Sequence, residues 1–502
     1  MKNKIPQLLA GLLVFTACSL DINKDPNSLA ELESAKSLLP SAELTIAANL
    51  MGWNTGFGGG YWSQYMAQSP TASQFKSLED YIETDYSYLW SEFTAGALND
   101  LKEIKEISAE KQTPSYAYIA EILQIFAWQV MTDTWGDVPY SEALQGGDNT
   151  NPKFDKGEDI YADLLVRVEA VLAVDVANLS DIDASYDLIF NGDLEQWKAF
   201  ASALKLKLLI RQSETADYNN ASVLSFVEST TFTSAGAIIS GKIFSDVDGK
   251  RHPMAEFQAG GANFVSLNVI ASKTLLSYLE NNNDPRLASI YSKAADGTYR
   301  GALQGDYNST EDVDSNGTAD KNEKYSGMQW AYNMDLPLLS YWEQEFFIAE
   351  IYARANNMAS AKIHYDKAVA ASLAAHGLSA SITAAGEYAE FVPANLDEAL
   401  ELIGLQKWVA YCKYQHHEAF LERNRLKYPA LDKVNVAADR VEVYNNFPVG
   451  KFTVSVQGRS KLNGKLPASP TFPNSVLSRN SNAPSQKANI GENVWWNKKE
   501  DL

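Results

Sequence analysis

Cysteine is nearly absent from this chain: two in 502 residues, Cys18 and Cys412. With so few thiols no disulfide framework can hold the fold, and a large apolar core must do so. Positive charge is also short. Lys and Arg total 42 against 63 Asp and Glu, a net charge of -21. A chain this acidic repels nucleic acid, which sets DNA and RNA aside as partners. After the first seventeen residues no run is apolar enough to span a bilayer as a helix. The motifs G-x-S-x-G, H-E-x-x-H and the nucleotide-binding glycine loop are missing too. Strand-like alternation is confined to "AIISGKIF" and "GKFTVSVQG".

What is present is helical. Hydrophobic residues make up 45% of the chain, with 25 Tyr, 20 Phe and 11 Trp. Helical periodicity runs through "YAYIAEILQIFAWQVMTDTW", "LEQWKAFASALKLKLLIRQ", "NVIASKTLLSYLENN" and "LIGLQKWVAYCKYQHHEAFLERNRL". The fold class expected is all-α with minor short strands. "FFIAEIYARANNMASAKIHYDKAVAAS" has finer grain. Ile348, Ala349 and Tyr352 precede a turn at Asn356–Asn357, and Ala361, Tyr365 and Ala368 follow it. That is tetratricopeptide-like spacing: small residues where two helices touch, rings filling the gaps. It does not recur at a fixed period, so the expectation is degenerate helix pairs within one large domain. Long loops are expected near 50–80, 140–160, 235–265, 297–335 and 440–502, where Gly, Asn, Ser and Pro gather.

The N-terminus carries an address. "MKNKIPQLLAGLLVFTACSLD" has Lys2 and Lys4, then an apolar run, then small residues before Cys18. This describes a secretory signal over 1–17. It resembles a bacterial lipobox, with Phe15 in place of the usual leucine, and makes Cys18 the expected lipidation site. Residues 18–30 read as a polar tether and 31–502 as the domain.

Two clusters invite a catalytic or metal reading. Asp133, Asp137 and Glu142 crowd "DTWGDVPYSEAL", and Cys412 and His416 share a helical face in "YCKYQHHEAFLER". The second lacks the partners that zinc needs: no second ligand pair stands at zinc spacing. Nothing singles out a carboxylate pair for glycoside hydrolysis. "DVDSNGTADKNE" (312–323) is different. Asp312, Asp314, Asn316, Asp320 and Glu323 stand at positions 1, 3, 5, 9 and 12, with Gly317 at 6 and Thr318 offering its carbonyl at 7. This is the register of an EF-hand calcium loop, with no helix-forming flank on either side. A structural Ca²⁺ is expected there rather than a sensor domain.

Exposed rings are the lead for ligand binding, because sugars present C–H faces that stack on aromatics. "MGWNTGFGGGYW" (51–62) carries Trp53, Phe57 and Tyr61 among glycines, and "YSGMQWAYNMDLP" (325–337) carries Trp330 and Tyr332 beside Asn333. Trp90, Trp128, Trp197 and Trp408 lie on periodic stretches and are expected in the core.

Taken in order, "NKDPNS" after Cys18, "YWSQYMAQS", "DTWGDVPYSEAL", "NDPRL", "LPLLSYWEQEFFIAEIYARA", "EAFLERNRLKYP" and "VWWN" resemble the SusD/RagB family of outer-membrane lipoproteins over almost the whole chain. The resemblance implies a non-enzymatic, lipid-anchored protein facing the cell exterior. It would bind an oligosaccharide or other nutrient and hand it to a SusC-like TonB-dependent transporter. It also implies that "DTWGDVPYSEAL" is structural, with Gly136 and Pro139 turning the chain at a helix end. Alternatives from other classes are a lipid-anchored all-α glycoside hydrolase, a peptide binder, or an assembly scaffold.

Overall fold

The protein is described here from a computed structural model covering residues 34–82, 84–259 and 264–501. The signal segment, the tether and Cys18 lie outside those residues. Eleven helices of nine residues or more dominate the described chain: α1 (Ala35–Leu50), α2 (Leu98–Lys111), α3 (Pro114–Trp135), α4 (Gly157–Leu172), α5 (Leu194–Arg211), α6 (Asn220–Glu228), α7 (Lys273–Asn281), α8 (Tyr341–Arg354), α9 (Met358–Ala375), α10 (Leu396–Tyr411) and α11 (His416–Leu426). Their ends follow local chemistry. Pro114 opens α3 and Gly136, at φ +85°, closes it. Asp193 caps α5 through the Glu195 and Gln196 amides, and Ser340 and Glu343 form a capping box on α8.

The tetratricopeptide-like spacing is realised. α8 and α9 pack as an antiparallel pair about a turn in which Asn356 takes φ +58°. Ala349, Ala361, Tyr365 and Ala368 are fully buried between and behind them. Strands are two to five residues long and pair two by two among the described residues. Met66–Gln68 runs antiparallel to Val269–Ala271, and Gly236–Ile239 to Leu336–Ser340. These ladders tie non-helical segments from distant parts of the chain onto the helical body. Trp90, Trp128, Trp197 and Trp408 lie in the main core. The expected turn at Gly136 and Pro139 is present, leading into a two-residue strand, Val138–Pro139.

Candidate functional site

The segment 51–62 departs from expectation. Its glycines suggest a loop, yet Trp53–Gly58 forms a π-helical turn that runs directly into an α-helical turn, Gly59–Trp62. The reason is steric. A Cβ on Gly59 would stand 2.5 Å from the His416 carbonyl oxygen, and one on Gly60 would stand 2.8 Å from His416 Nδ1. The glycines let this short helix lie against the start of α11 at backbone contact. Its side chains are drawn inward in consequence. Phe57 and Tyr61 are 0% and 2% exposed, and the Tyr61 hydroxyl lies within reach of the Asn268 carbonyl at 3.3 Å. Both were expected on a ligand face, and both instead belong to the core.

Trp53, at the helix start, is half-buried. Its ring centroid lies 5.4 to 5.6 Å from Phe57, Phe75, Phe257 and Phe264. Beside it opens a cavity of about 160 Å³. Trp53 and Phe75 supply apolar wall, with the fully buried Phe57 behind them, and Asn54, Gln74 and Ser77 supply polar groups. Sequence reasoning missed Phe75, Phe257 and Phe264. Their one signal was phenylalanine in stretches without helical period, "ASQFKS" and "AEFQAGGANFVS".

The second expected ring group is split. Trp330 is buried at 8% exposure, edge-on to His416 with centroids 5.6 Å apart. It serves as packing for α11 rather than as an open platform. Tyr332 is 41% exposed and Asn333 is also exposed. One short helix, Pro253–Ala259, links the two places. The His252 amide just before it donates to the Tyr332 carbonyl at 2.8 Å, and its Phe257 packs on Trp53. Trp53 and Tyr332 thus belong to one continuous region.

His416 is fully committed. Its Nδ1 lies 2.7 Å from the Gly56 carbonyl, and its Nε2 accepts from the Lys413 amide at 3.0 Å. Burial pushes its pKa down to about 4 and pushes the Cys412 thiol up. The pair is packing, without the free nitrogen and thiolate that zinc requires. Asp133 is equally structural, buried against Arg211 at 2.8 Å.

The 312–323 loop has the turn its register requires. Asp312 accepts from the Asn316 and Gly317 amides at 3.0 and 2.7 Å, and Gly317 takes φ +92°. Thr318 is held by its own amide on Asn316 Oδ1 at 2.9 Å. The carboxylates of positions 3 and 12 are drawn to internal donors. Arg300 reaches Asp314 at 3.1 Å and Glu323 at 3.2 Å, and Asn316 Nδ2 lies 2.8 Å from Glu323. Asp320 turns away to accept from the Val313 amide at 3.2 Å, and burial lifts its carboxyl to about 6. As arranged, no three acidic, His or Cys side chains among the described residues converge as a metal requires. The donor set itself, all oxygen and mostly anionic, fits a hard cation such as calcium.

A family model described as "Starch-binding associating with outer membrane" matches residues 26–447. Solved structures share the architecture. A SusD homologue from Bacteroides uniformis has a TM-score of 0.71 at 19% identity, covering 92% of this chain and 99% of its own. A chitin-binding SusD homologue from Flavobacterium johnsoniae has a TM-score of 0.70 at 19% identity, covering 93% and 100%. A structure described as a chitin-binding protein has a TM-score of 0.68 at 21% identity, covering 92% and 100%. At these identities the likeness establishes the fold. No curated protein sequence matches the chain closely enough to rank as a relative.

Proposed function

The chain belongs to the SusD-like family, whose members associate with the outer membrane, and on that premise we propose that it binds an oligosaccharide at the cell surface and delivers it to a TonB-dependent transporter. The observation that carries the reading is Trp53, a partly exposed indole beside a cavity with amide and hydroxyl groups. Rings of this kind stack on sugar C–H faces while amides and hydroxyls read the sugar's own hydroxyls. Two of the structural relatives are described as chitin-binding, which supports a glycan over a peptide. Tyr332 and Asn333, both exposed, are further proposed contacts. Calorimetry with maltoheptaose and soluble chitin oligomers tests this. Trp53→Ala should weaken binding roughly tenfold, about 1.4 kcal/mol. Unchanged affinity would move the site elsewhere. Release of shorter products from a bound glycan would favour the hydrolase alternative.

Attachment completes the proposal. No helix among the described residues is long and apolar enough to cross a membrane, and Cys18 follows a lipobox-like signal. Two or three acyl chains on Cys18 would hold the protein at the outer face far more firmly than one. Cys18→Ser should move the protein from the membrane to the soluble fraction or leave it unprocessed. Full membrane retention at mature size would refute the anchor. A structural Ca²⁺ held by Asp312, Asp314, Asn316, the Thr318 carbonyl, Asp320 through water, and Glu323 is the remaining element. It would brace the segment leading to Tyr332.

A further inference from the structure

A second cavity, of about 600 Å³, opens where the first turns of α5 meet the segment that follows α6. It shares no lining residue with the cavity beside Trp53. Its size lies within the ~300–1,000 Å³ of pockets that take whole ligands, while the 160 Å³ beside Trp53 lies below it. The wall is fixed from behind. The Ser229 amide donates to the Ser225 carbonyl at 3.2 Å and closes α6. The Thr233 hydroxyl accepts from the Gly236 amide at 2.9 Å, and Gln344 donates to the Thr233 carbonyl at 3.0 Å. A segment ordered in advance costs a ligand less on binding.

The groups facing the cavity narrow the ligand. Glu195, Gln196, Thr230, Thr231 and Ser234 line it, are all at least partly exposed, and make no side-chain hydrogen bond to another described residue. Two half-buried rings, Phe226 and Phe232, add apolar surface beside them, with centroids 5.9 Å apart and planes 87° apart. The wall carries one anion, Glu195, and one cation, Lys198, whose ammonium already donates to the Val174 carbonyl at 2.7 Å. It therefore selects neither sign of charge. The neighbouring strand Gly236–Ile239 is largely buried and already paired with Leu336–Ser340, so it offers no edge to an extended peptide. Free hydroxyls, an amide and a carboxylate beside ring surface suit a ligand that is neutral, rich in hydroxyls and partly apolar in its C–H faces.

We propose that this cavity is a second carbohydrate subsite that takes a short run of a neutral glycan. Glu195, Gln196 and Thr231 bond the sugar hydroxyls, and Phe226 and Phe232 meet the C–H faces. The inference rests on the glycan reading above but not on Trp53. A polymer that touches both places is held more firmly than by either alone.

Calorimetry and amide hydrogen exchange on the full chain, with maltotriose and triacetylchitotriose as probes, test the assignment. At least one of them should bind Trp53→Ala and slow exchange in residues 229–235. Gln196→Ala with Thr231→Arg, which changes two accessible side chains and leaves the Tm unchanged, should weaken that binding at least tenfold and remove the protection. Binding that Trp53→Ala abolishes and the double variant leaves untouched overturns the subsite, and the glycan reading stands. Binding lost only in the double variant keeps the subsite and moves the site away from Trp53. If neither trisaccharide binds at millimolar concentration the subsite falls, and maltoheptaose then decides the reading at Trp53 by itself.

Discussion

Arg425→Ala should destabilise the fold by about 3–5 kcal/mol at pH 7, a deficit that narrows as pH falls toward 2. Arg425 is completely buried in the middle of an ion network. Its guanidinium meets both oxygens of Glu350 at 2.7 Å, Glu422 at 2.9 and 2.6 Å, and Ser213 at 2.6 Å. The network continues through Lys407, Arg211 and Lys207 to Asp133, Glu418 and Glu343. It thereby joins α3, α5, α8, α10 and α11. Removing Arg425 takes the strongest partner from two buried carboxylates, leaving Glu350 to Arg354 and Lys407 and Glu422 to Arg211 and Lys407, and an undercompensated buried charge costs several kcal/mol. In a chain this long that is several degrees of Tm, so denaturant midpoints are the sharper measure.

The pH dependence follows from Glu350. Burial alone would raise its pKa, but Arg425, then Arg354, holds it down at about 2, against an ordinary 4.5. A depressed carboxyl contributes stability that is present above about pH 4.5 and lost as pH falls toward 2. Without Arg425 the Glu350 pKa rises, this pH-dependent contribution shrinks, and the variant's deficit should be larger at pH 7 than at pH 4. Urea midpoints at pH 7 and pH 4 check both parts. Arg425→Met with Glu350→Gln should recover part of the loss, since it removes the stranded charge together with its partner. A variant with wild-type midpoints at both values would mean that the network is energetically idle.

How far the sequence could be read depends on the reach of each interaction. Helices with a repeating apolar face, such as α4 and α7, declare themselves within their own residues, and so does the α8–α9 pair. The network could not be read. Arg211 and Glu422 bond across 211 positions, and each looks in sequence like an ordinary solvated charge on a helix. The segment 51–62 was misread for a related reason. Glycine permits both a flexible loop and a tight helix–helix approach, and the choice is made by His416, more than 350 residues away. Once that helix packs, Phe57 and Tyr61 must turn inward, and Trp53 at its end keeps a partly open face. Trp330 was misread as open because its packing partner is that same distant histidine. The EF-hand spacing was visible because it lies within twelve consecutive residues. Arg300, the cation that occupies its carboxylates, is twelve residues upstream of the loop and belongs to no motif.

Arg300→Gln should tighten calcium binding at this loop at least tenfold. In the structure the guanidinium stands between Asp314 and Glu323 and also reaches Asp296 at 3.0 Å. Those two carboxylates are positions 3 and 12 of the proposed site, so calcium bound there would compete with Arg300 for them. A divalent ion about 5 Å from a guanidinium is repelled by several kcal/mol at an effective dielectric of about 20. Arg300 can relieve most of this by swinging out to Asp296. Even a residual of about 1.4 kcal/mol is a factor of ten in affinity. The contacts of Arg300 and Asn316 explain how the loop keeps its shape in the structure. Arg300 and Asn316 Nδ2 neutralise carboxylates that would otherwise repel one another. Without calcium, Arg300→Gln should therefore loosen residues 312–323, seen as faster amide hydrogen exchange there, and added calcium should restore protection. Asp312→Ala with Asp314→Ala should abolish binding in either background. If wild type and Arg300→Gln bind calcium equally, Arg300 is not a competitor and the metal site stands without it. If neither binds at millimolar calcium, the loop is held by Arg300 alone, and its EF-hand spacing serves to bury an arginine's charge.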